Sequence, residues 1–403
     1  LSARIPMKNE LNREQTEIPT IKDFNLFIIF SITLFAVMGV ASITPAFPQI
    51  IKHYNLSVQQ IGYLITAFTL PGIFLSLFIG ILADRYGRKT ILFPSMLIFG
   101  VAGFLCAFQS DYKSLLMMRF FQGVGAASLG SLNITLIGDL FDGKNRIKAM
   151  GYNASVLSIG TASFPAIGGL FASFDWQYAF YLPVIILPFA FVVLFRLQAP
   201  NVRTNISLRE YLGNAWKTIN RKKVWGLSMV NILVFIILYG AFLSFFPILM
   251  ETRFQANSLV IGITMSLMSL TTAISSSQLA KVRKQVTSDT LLYLSSLGYA
   301  ISLVILSFAA GWIMLIIAIS LFGIAHGLFI PNIQTALVGM APLSERAAFM
   351  SVNSTVLRIG QTLGPIVVAL FYINQNIQSV FLLSAIIALV MIVIIKTLVG
   401  KID

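Results

Sequence analysis

Residues 146–165 read RIKAMGYNASVLSIGTASFP, and residues 346–365 read RAAFMSVNSTVLRIGQTLGP. At this offset of 200, Arg146, Met150, Asn153, Val156, Leu157, Ile159, Gly160 and Pro165 recur as Arg346, Met350, Asn353, Val356, Leu357, Ile359, Gly360 and Pro365. Ile61-Gly62 recurs as Ile261-Gly262 at the same offset. The chain therefore reads as two units of one topology, fused head to tail. Both copies of the long match are apolar stretches interrupted by single polar residues. That pattern asks what surrounds them.

Composition answers. Hydrophobic residues make up 57% of the 403, and charged residues only 10%, against about 25% in soluble domains. So few charges cannot cover a water-facing surface. A helix needs about 20 mostly apolar residues to cross the hydrocarbon of a bilayer. Twelve such runs are present, at about 25–48, 59–83, 91–109, 114–138, 148–172, 176–197, 224–249, 258–280, 290–309, 312–338, 347–372 and 377–398. Runs this long exclude barrel strands, leaving helices as the spanning element. The expected fold is an all-α membrane protein, twelve transmembrane helices in two pseudo-symmetric six-helix bundles. Parallel repeats of this kind usually place a substrate site between them near the midplane.

The net charge of +14 does not point to nucleic acid, because the bases sit in alternate short loops. Arg85, Arg88 and Lys89 follow the second span, Lys144, Arg146 and Lys148 the fourth, and Lys281, Arg283 and Lys284 the eighth. Seven bases lie in 196–223. The other loops hold only Lys52, Lys113 and Arg253. The asymmetry predicts an inner (cell) membrane protein with both termini cytoplasmic. The expected domains are a tail at 1–24, bundles at 25–197 and 224–398, a linker at 198–223 and a short tail at 399–403. Residues 1–6 precede Met7 and read as a cloning remnant, and the polar stretch to Asp23 lacks the form of a cleavable signal. Within the linker, Ile206, Leu208, Leu212, Ala215, Trp216 and Ile219 alternate with charged residues, the pattern of either a surface amphipathic helix or a solvated loop. One cysteine, Cys106, and two histidines offer neither a disulfide framework nor a metal signature. No cofactor is expected.

The loop after the second span reads Gly80-Ile-Leu-Ala-Asp-Arg-Tyr-Gly-Arg-Lys-Thr-Ile-Leu92. It resembles the signature loop of the major facilitator superfamily, and span count, linker and repeat fit that family over the whole chain. Gly80 and Gly87 would permit tight packing and a sharp turn. Asp84 would accept backbone amides at a nearby helix N-terminus, and Arg88, flanked by Arg85, would pair with Asp139. The resemblance implies a latch that stabilises the outward-facing state, so that breaking it shifts the population of states rather than abolishing binding. Leu115-x3-Arg119-x2-Gln122-Gly123-x-Gly125-Ala126-Ala127 resembles a motif of proton-coupled members, and Arg119, roughly 8 Å deep, is expected to face an inward site. Gly151-x8-Gly160-x3-Phe164-Pro165-x2-Gly168-Gly169 resembles the antiporter motif, with Phe164 where a glycine is usual. Ordinary helix packing explains these glycines as well as a coupling role does. The eleventh span keeps Gly364-Pro365, and Pro45-Ala-Phe-Pro48 is expected to end the first span, as in drug-efflux members.

The fourteen acidic residues all fall outside mid-membrane positions. That leaves His326 as the titratable group of choice if protons drive the cycle. Arg358, near the midplane, can hold an anion bidentately. Asn153, Asn353, Gln361, Gln122, Asn133, Tyr63 and Tyr239 are the other polar candidates for a cavity. The expected function is secondary active export of amphipathic or anionic small molecules, of the multidrug type, with protons as coupling ion. Organic-anion uptake or exchange is the alternative. A membrane-embedded lipid-modifying enzyme is the distant one, since it would need clustered His, Asp or Cys. No GxxxxGK[ST] loop supports ATP-driven transport. The expected partners are a small-molecule substrate, protons and membrane lipids, with the chain a monomer.

Overall fold

The computed structural model describes residues 24–198, 221–340 and 346–402. The first half contains α1 (Phe24–Tyr54), α2 (Tyr63–Tyr86), α3 (Arg88–Leu105), α4 (Tyr112–Leu140), α5 (Gly143–Phe174) and α6 (Trp176–Arg196). The second contains α7 (Lys222–Phe254), α8 (Ser258–Ser277), α9 (Ser288–Phe308), α10 (Trp312–Met340), α11 (Arg346–Ala369) and α12 (Ile377–Val399). No strand occurs among the described residues. Eleven helices are long and apolar enough to cross a membrane. The exception is α11, whose polar positions include Arg346, Asn353, Arg358 and Gln361. The linker helix expected near 206–219 lies outside the described residues.

Large apolar side chains cover the outside of the bundle. Phe74, Phe195, Ile313 and Leu370 are each more than 60% exposed, an arrangement that lipid tolerates and water does not. In this respect the twelve-helix membrane fold read from the sequence holds.

Two helices depart from the reading. Pro45-Ala-Phe-Pro48 does not end α1. The helix bends through a 3₁₀ turn at Thr44–Ala46 and resumes over Phe47–Tyr54. Each proline occupies a first-turn position, where a missing N–H costs nothing. In α7, Ile237–Phe245 forms a π-helical segment. The Ser244 hydroxyl donates to the Tyr239 carbonyl five residues back at 2.8 Å, matching the wider turn.

The repeated residues build the contact between the halves. Across it, α5 packs on α8 and α2 on α11. A Cβ placed on Gly262 would lie 2.2 Å from the Pro165 carbonyl oxygen, and one on Gly62 would lie 2.7 Å from Pro365 Cβ. The four residues are two repeat pairs, and each glycine meets the proline of the other half. A Cβ on Gly169 would likewise lie 2.3 Å from the Ser258 carbonyl oxygen. Gly168 faces the bend of α1 at Ser42, Gly160 meets Leu34 of α1, and Gly364 packs on Gly240 of the π-helical segment.

These contacts cluster toward one end. Call the end carrying the 85–89, 144–148 and 281–284 loops the basic face. On the opposite face Lys52 pairs with Glu251 at 2.5 Å, and Gln49 Nε2 donates to Ser258 Oγ at 3.1 Å. Nearer the middle, Thr66 donates to the Thr362 carbonyl at 3.0 Å, and the Thr362 and Thr69 hydroxyls bond at 2.9 Å. Among the described residues, ion pairs on the basic face stay within one half. The halves are thus closed on the opposite face.

Candidate functional site

Between the halves lies a cavity of about 490 Å³. Helices α1, α2, α4 and α5 of the first half and α7, α8, α10 and α11 of the second supply its walls. Most of the lining is apolar, with Phe68, Phe235, Phe242, Met265 and Met268 prominent. The π-helical segment brings Tyr239 and Phe242 to the wall together. Such segments frequently mark functional sites.

Of the polar candidates read from the sequence, Tyr239, His326, Arg358 and Gln361 line this cavity. His326 reaches it from α10, with its Nδ1 held 2.5 Å from the Tyr299 hydroxyl of α9. Arg358 reaches it from α11. Among the described residues no acidic side chain lines the cavity. Arg358 has neither a hydrogen bond nor an ion pair there, its electrostatic neighbour being Tyr239. The guanidinium extends past its own half: a Cβ on Gly72 of α2 would lie 2.2 Å from Nη1, and one on Gly130 of α4 would lie 3.4 Å from Nη2.

The other candidates are elsewhere. Arg119 is 1% exposed and packed inside the first half. Its Nη1 donates to the Gly39 carbonyl at 2.9 Å and to Gln122 Oε1 at 2.6 Å, and its Nε to the Leu64 carbonyl at 3.2 Å. The Phe68 ring lies 4.4 Å from the cation. Carbonyls and a ring face thus hold the guanidinium inside the first half, so Arg119 ties α1, α2 and α4 together and does not line the cavity. Gln122 goes with it. Tyr63 stands at the opposite-face end of α2, 42% exposed, away from the cavity.

Asn133 and Asn153 meet Thr33 of α1, whose hydroxyl is 2.5 Å from both Asn133 Nδ2 and Asn153 Oδ1. In the second half Asn353 Nδ2 donates to Gln334 Oε1 at 2.8 Å and Asn353 Oδ1 accepts from Asn231 at 3.4 Å. The repeated asparagines thus sit in two buried clusters, one per half, beside the cavity rather than on its wall.

The loop at 80–92 is built partly as expected. Gly87 adopts φ 94°, ψ 146°, a left-handed turn that favours glycine. Arg88, 6% exposed, donates from Nε to Asp139 Oδ2 at 2.9 Å and pairs with Asp84. Among the described residues Asp84 spends its charge on Arg88 and meets no backbone amide of another helix. Arg85 points outward beside the Tyr86 ring. Gly80 packs against nothing: a Cβ there has no neighbour within 4 Å. The tight packing expected of it is absent among the described residues.

Sequence reasoning passed over Gly72, Gly130, Thr33, Gln49 and the Lys52–Glu251 pair. The two glycines stand inside apolar helical runs, where glycine is unfavourable without a packing reason. That was the available signal.

Comparison with known proteins agrees with this architecture. The description of the Major Facilitator Superfamily matches residues 29–288 and 253–401. Multidrug resistance protein 2 of Bacillus subtilis is 24% identical over 392 residues, covering 95% of each chain. Quinolone resistance protein NorA of Staphylococcus aureus is 25% identical over 378 residues, covering 93% of this chain and 95% of that one. The crystal structure of a D-xylose-proton symporter superposes with a TM-score of 0.77 at 14% identity, covering 94% of this chain and 98% of the symporter, a likeness of fold. Two six-helix halves, a crossed glycine–proline contact between them and a cavity at their interface complete the case, and the chain belongs to the Major Facilitator Superfamily.

Proposed function

We propose that this protein exports amphipathic molecules that carry an anionic group, by alternating exposure of the cavity to the two faces of the cell membrane. The observation that carries the reading is Arg358: a cation on the wall of an aromatic, Met-lined cavity with no acidic side chain among the described residues to neutralise it. A guanidinium binds a carboxylate or sulfonate bidentately, while Phe68, Phe235 and Phe242 accept the apolar body. The resistance proteins it resembles support efflux. Uptake or exchange of an organic anion would use the same site, and flux direction separates the two.

The loop charges support a cytoplasmic basic face and cytoplasmic termini. The cavity then stands closed to the outside. His326 is the titratable side chain on the cavity wall suited to carry a coupling proton, and Tyr299 can accept from or donate to its Nδ1. The bundles at 25–197 and 224–398 are read as the two moving bodies, joined by 198–223. The protein is read as a transporter, in keeping with its family, working as a monomer among membrane lipids.

The test is binding of an amphipathic anion to the purified protein. Arg358→Ala should weaken it about tenfold or more, the scale of a hydrogen bond to a charged group, and should leave a neutral analogue unaffected. Unchanged anion affinity would refute the reading.

A further inference from the structure

We propose that Gly72 and Gly130 determine specificity: they form a slot in the first half that seats the Arg358 guanidinium of the second half and presents its charge to an anionic group of the transported molecule. The inference rests on the anion-binding reading of Arg358 given above, and adds how that charge is held.

A side chain at 72 cannot coexist with the arginine as placed. Its Cβ would lie 2.2 Å from Nη1, 2.8 Å from Cζ and 2.9 Å from Cδ. Real Cβ atoms do not approach so closely, so an added side chain would displace the distal end of the arginine from this position. Position 130 is graded: a Cβ 3.4 Å from Nη2 is ordinary contact, so alanine fits and a larger side chain does not. The slot seats the cation without discharging it. The hydroxyls of Thr69 and Ser131, which line the same cavity, do not bond the guanidinium; they donate to the Ile65 carbonyl at 3.0 Å and the Ala127 carbonyl at 3.1 Å. A cation inside a membrane protein is costly unless it serves a partner. Two glycines that hold it in place, and no acid beside it among the described residues, leave that partner to be the ligand. Because arginine and slot come from different halves, this site is assembled only in states that bring α11 against α2 and α4.

The experiment compares dansylglycine with dansylamide, which share a fluorophore and differ by the carboxylate, on the full-length chain in detergent. The wild type should hold dansylglycine the more tightly. Gly72→Ala should weaken dansylglycine about tenfold or more and change dansylamide less than about twofold. Gly130→Ala should do little, and Gly130→Leu should reproduce Gly72→Ala, which keeps the test usable if one variant does not fold. In an Arg358→Ala background, Gly72→Ala should add nothing. Equal loss of both probes, no loss of either, or an added loss in that background would overturn the slot. If Arg358→Ala weakens dansylglycine but Gly72→Ala does not, the slot falls and the anion reading stands. If Arg358→Ala leaves it unchanged, or the wild type does not prefer dansylglycine, both fall.

Discussion

Closure of the opposite face rests on two kinds of contact, and their magnitudes differ enough to rank. The Lys52–Glu251 pair spans the halves at 2.5 Å, but its side chains are 70% and 27% exposed. An exposed pair of this sort contributes about 0.2–1 kcal/mol, so Glu251→Gln should change the ratio of closed to open states by about 1.4- to 5-fold. The Gly262–Pro165 approach is different. An added Cβ at 2.2 Å from the carbonyl oxygen and 2.9 Å from its carbon meets backbone that cannot rotate away. Forcing an extra methyl into a packed contact costs about 1–3 kcal/mol, a shift of roughly 5- to 150-fold at 1.4 kcal/mol per decade. Gly262→Ala should therefore open this face far more than loss of the ion pair. Spin labels on Lys113→Cys and Ala310→Cys, both exposed on this face in opposite halves, report the separation by electron–electron double resonance. The native Cys106 is buried and stays unlabelled. High salt should move the wild type toward the Glu251→Gln distribution and leave Gly262→Ala where it is. An ion-pair variant that opens the face as far as Gly262→Ala would refute the ranking.

Two further outcomes follow from the placement of the polar groups. Arg119→Met strips donors from the Gly39 and Leu64 carbonyls and from Gln122, at about 1–3 kcal/mol for each acceptor left unsatisfied; thermal unfolding in micelles should show a large drop, while the anion affinity of the folded fraction stays within about twofold, the reverse of Arg358→Ala. His326→Gln should remove the response of flux in proteoliposomes to an imposed pH gradient while sparing substrate binding at fixed pH, and a variant that still follows the gradient would take proton coupling away from this residue.

The fold was legible because its main constraint is chemical and one-dimensional. Twelve apolar runs, alternating basic loops and a 200-residue offset specify a duplicated bundle without any knowledge of packing. Arg358 and His326 were legible for a related reason: a charged or titratable side chain in the middle of an apolar span stands out by itself. Arg119 stood out equally and was misplaced. Burial along a helix gives depth but not azimuth, and the side of α4 that carries Arg119 faces α1 and α2 rather than the cavity. Tyr63 failed at the other coordinate, since its helix begins at that residue and leaves it at a face. The bend in α1 was misread because two prolines look like a stop, whereas each occupies a first-turn position from which a helix can restart.

The glycines carry the argument one step further. In the sequence they form motifs, and a motif suggests one role. In the structure they divide into three. Gly62 and Gly262 let the halves touch through the prolines of the opposite repeat. Gly160, Gly168 and Gly364 let helices touch within a half. Gly72 and Gly130 admit a side chain rather than a backbone. The first group lies at the contact between the halves and is retained at the 200-residue offset, as is the Gly160–Gly360 pair that packs inside each half. A contact that must serve two related halves in a crossed arrangement constrains both copies together. A slot for one arginine constrains a single copy: at the same offset Gly72 becomes Thr272 and Gly130 becomes Ile330, and Arg358 answers to Ser158. Symmetry in this chain therefore follows helix-to-helix packing, within and between the halves, and is absent where a single arginine is seated.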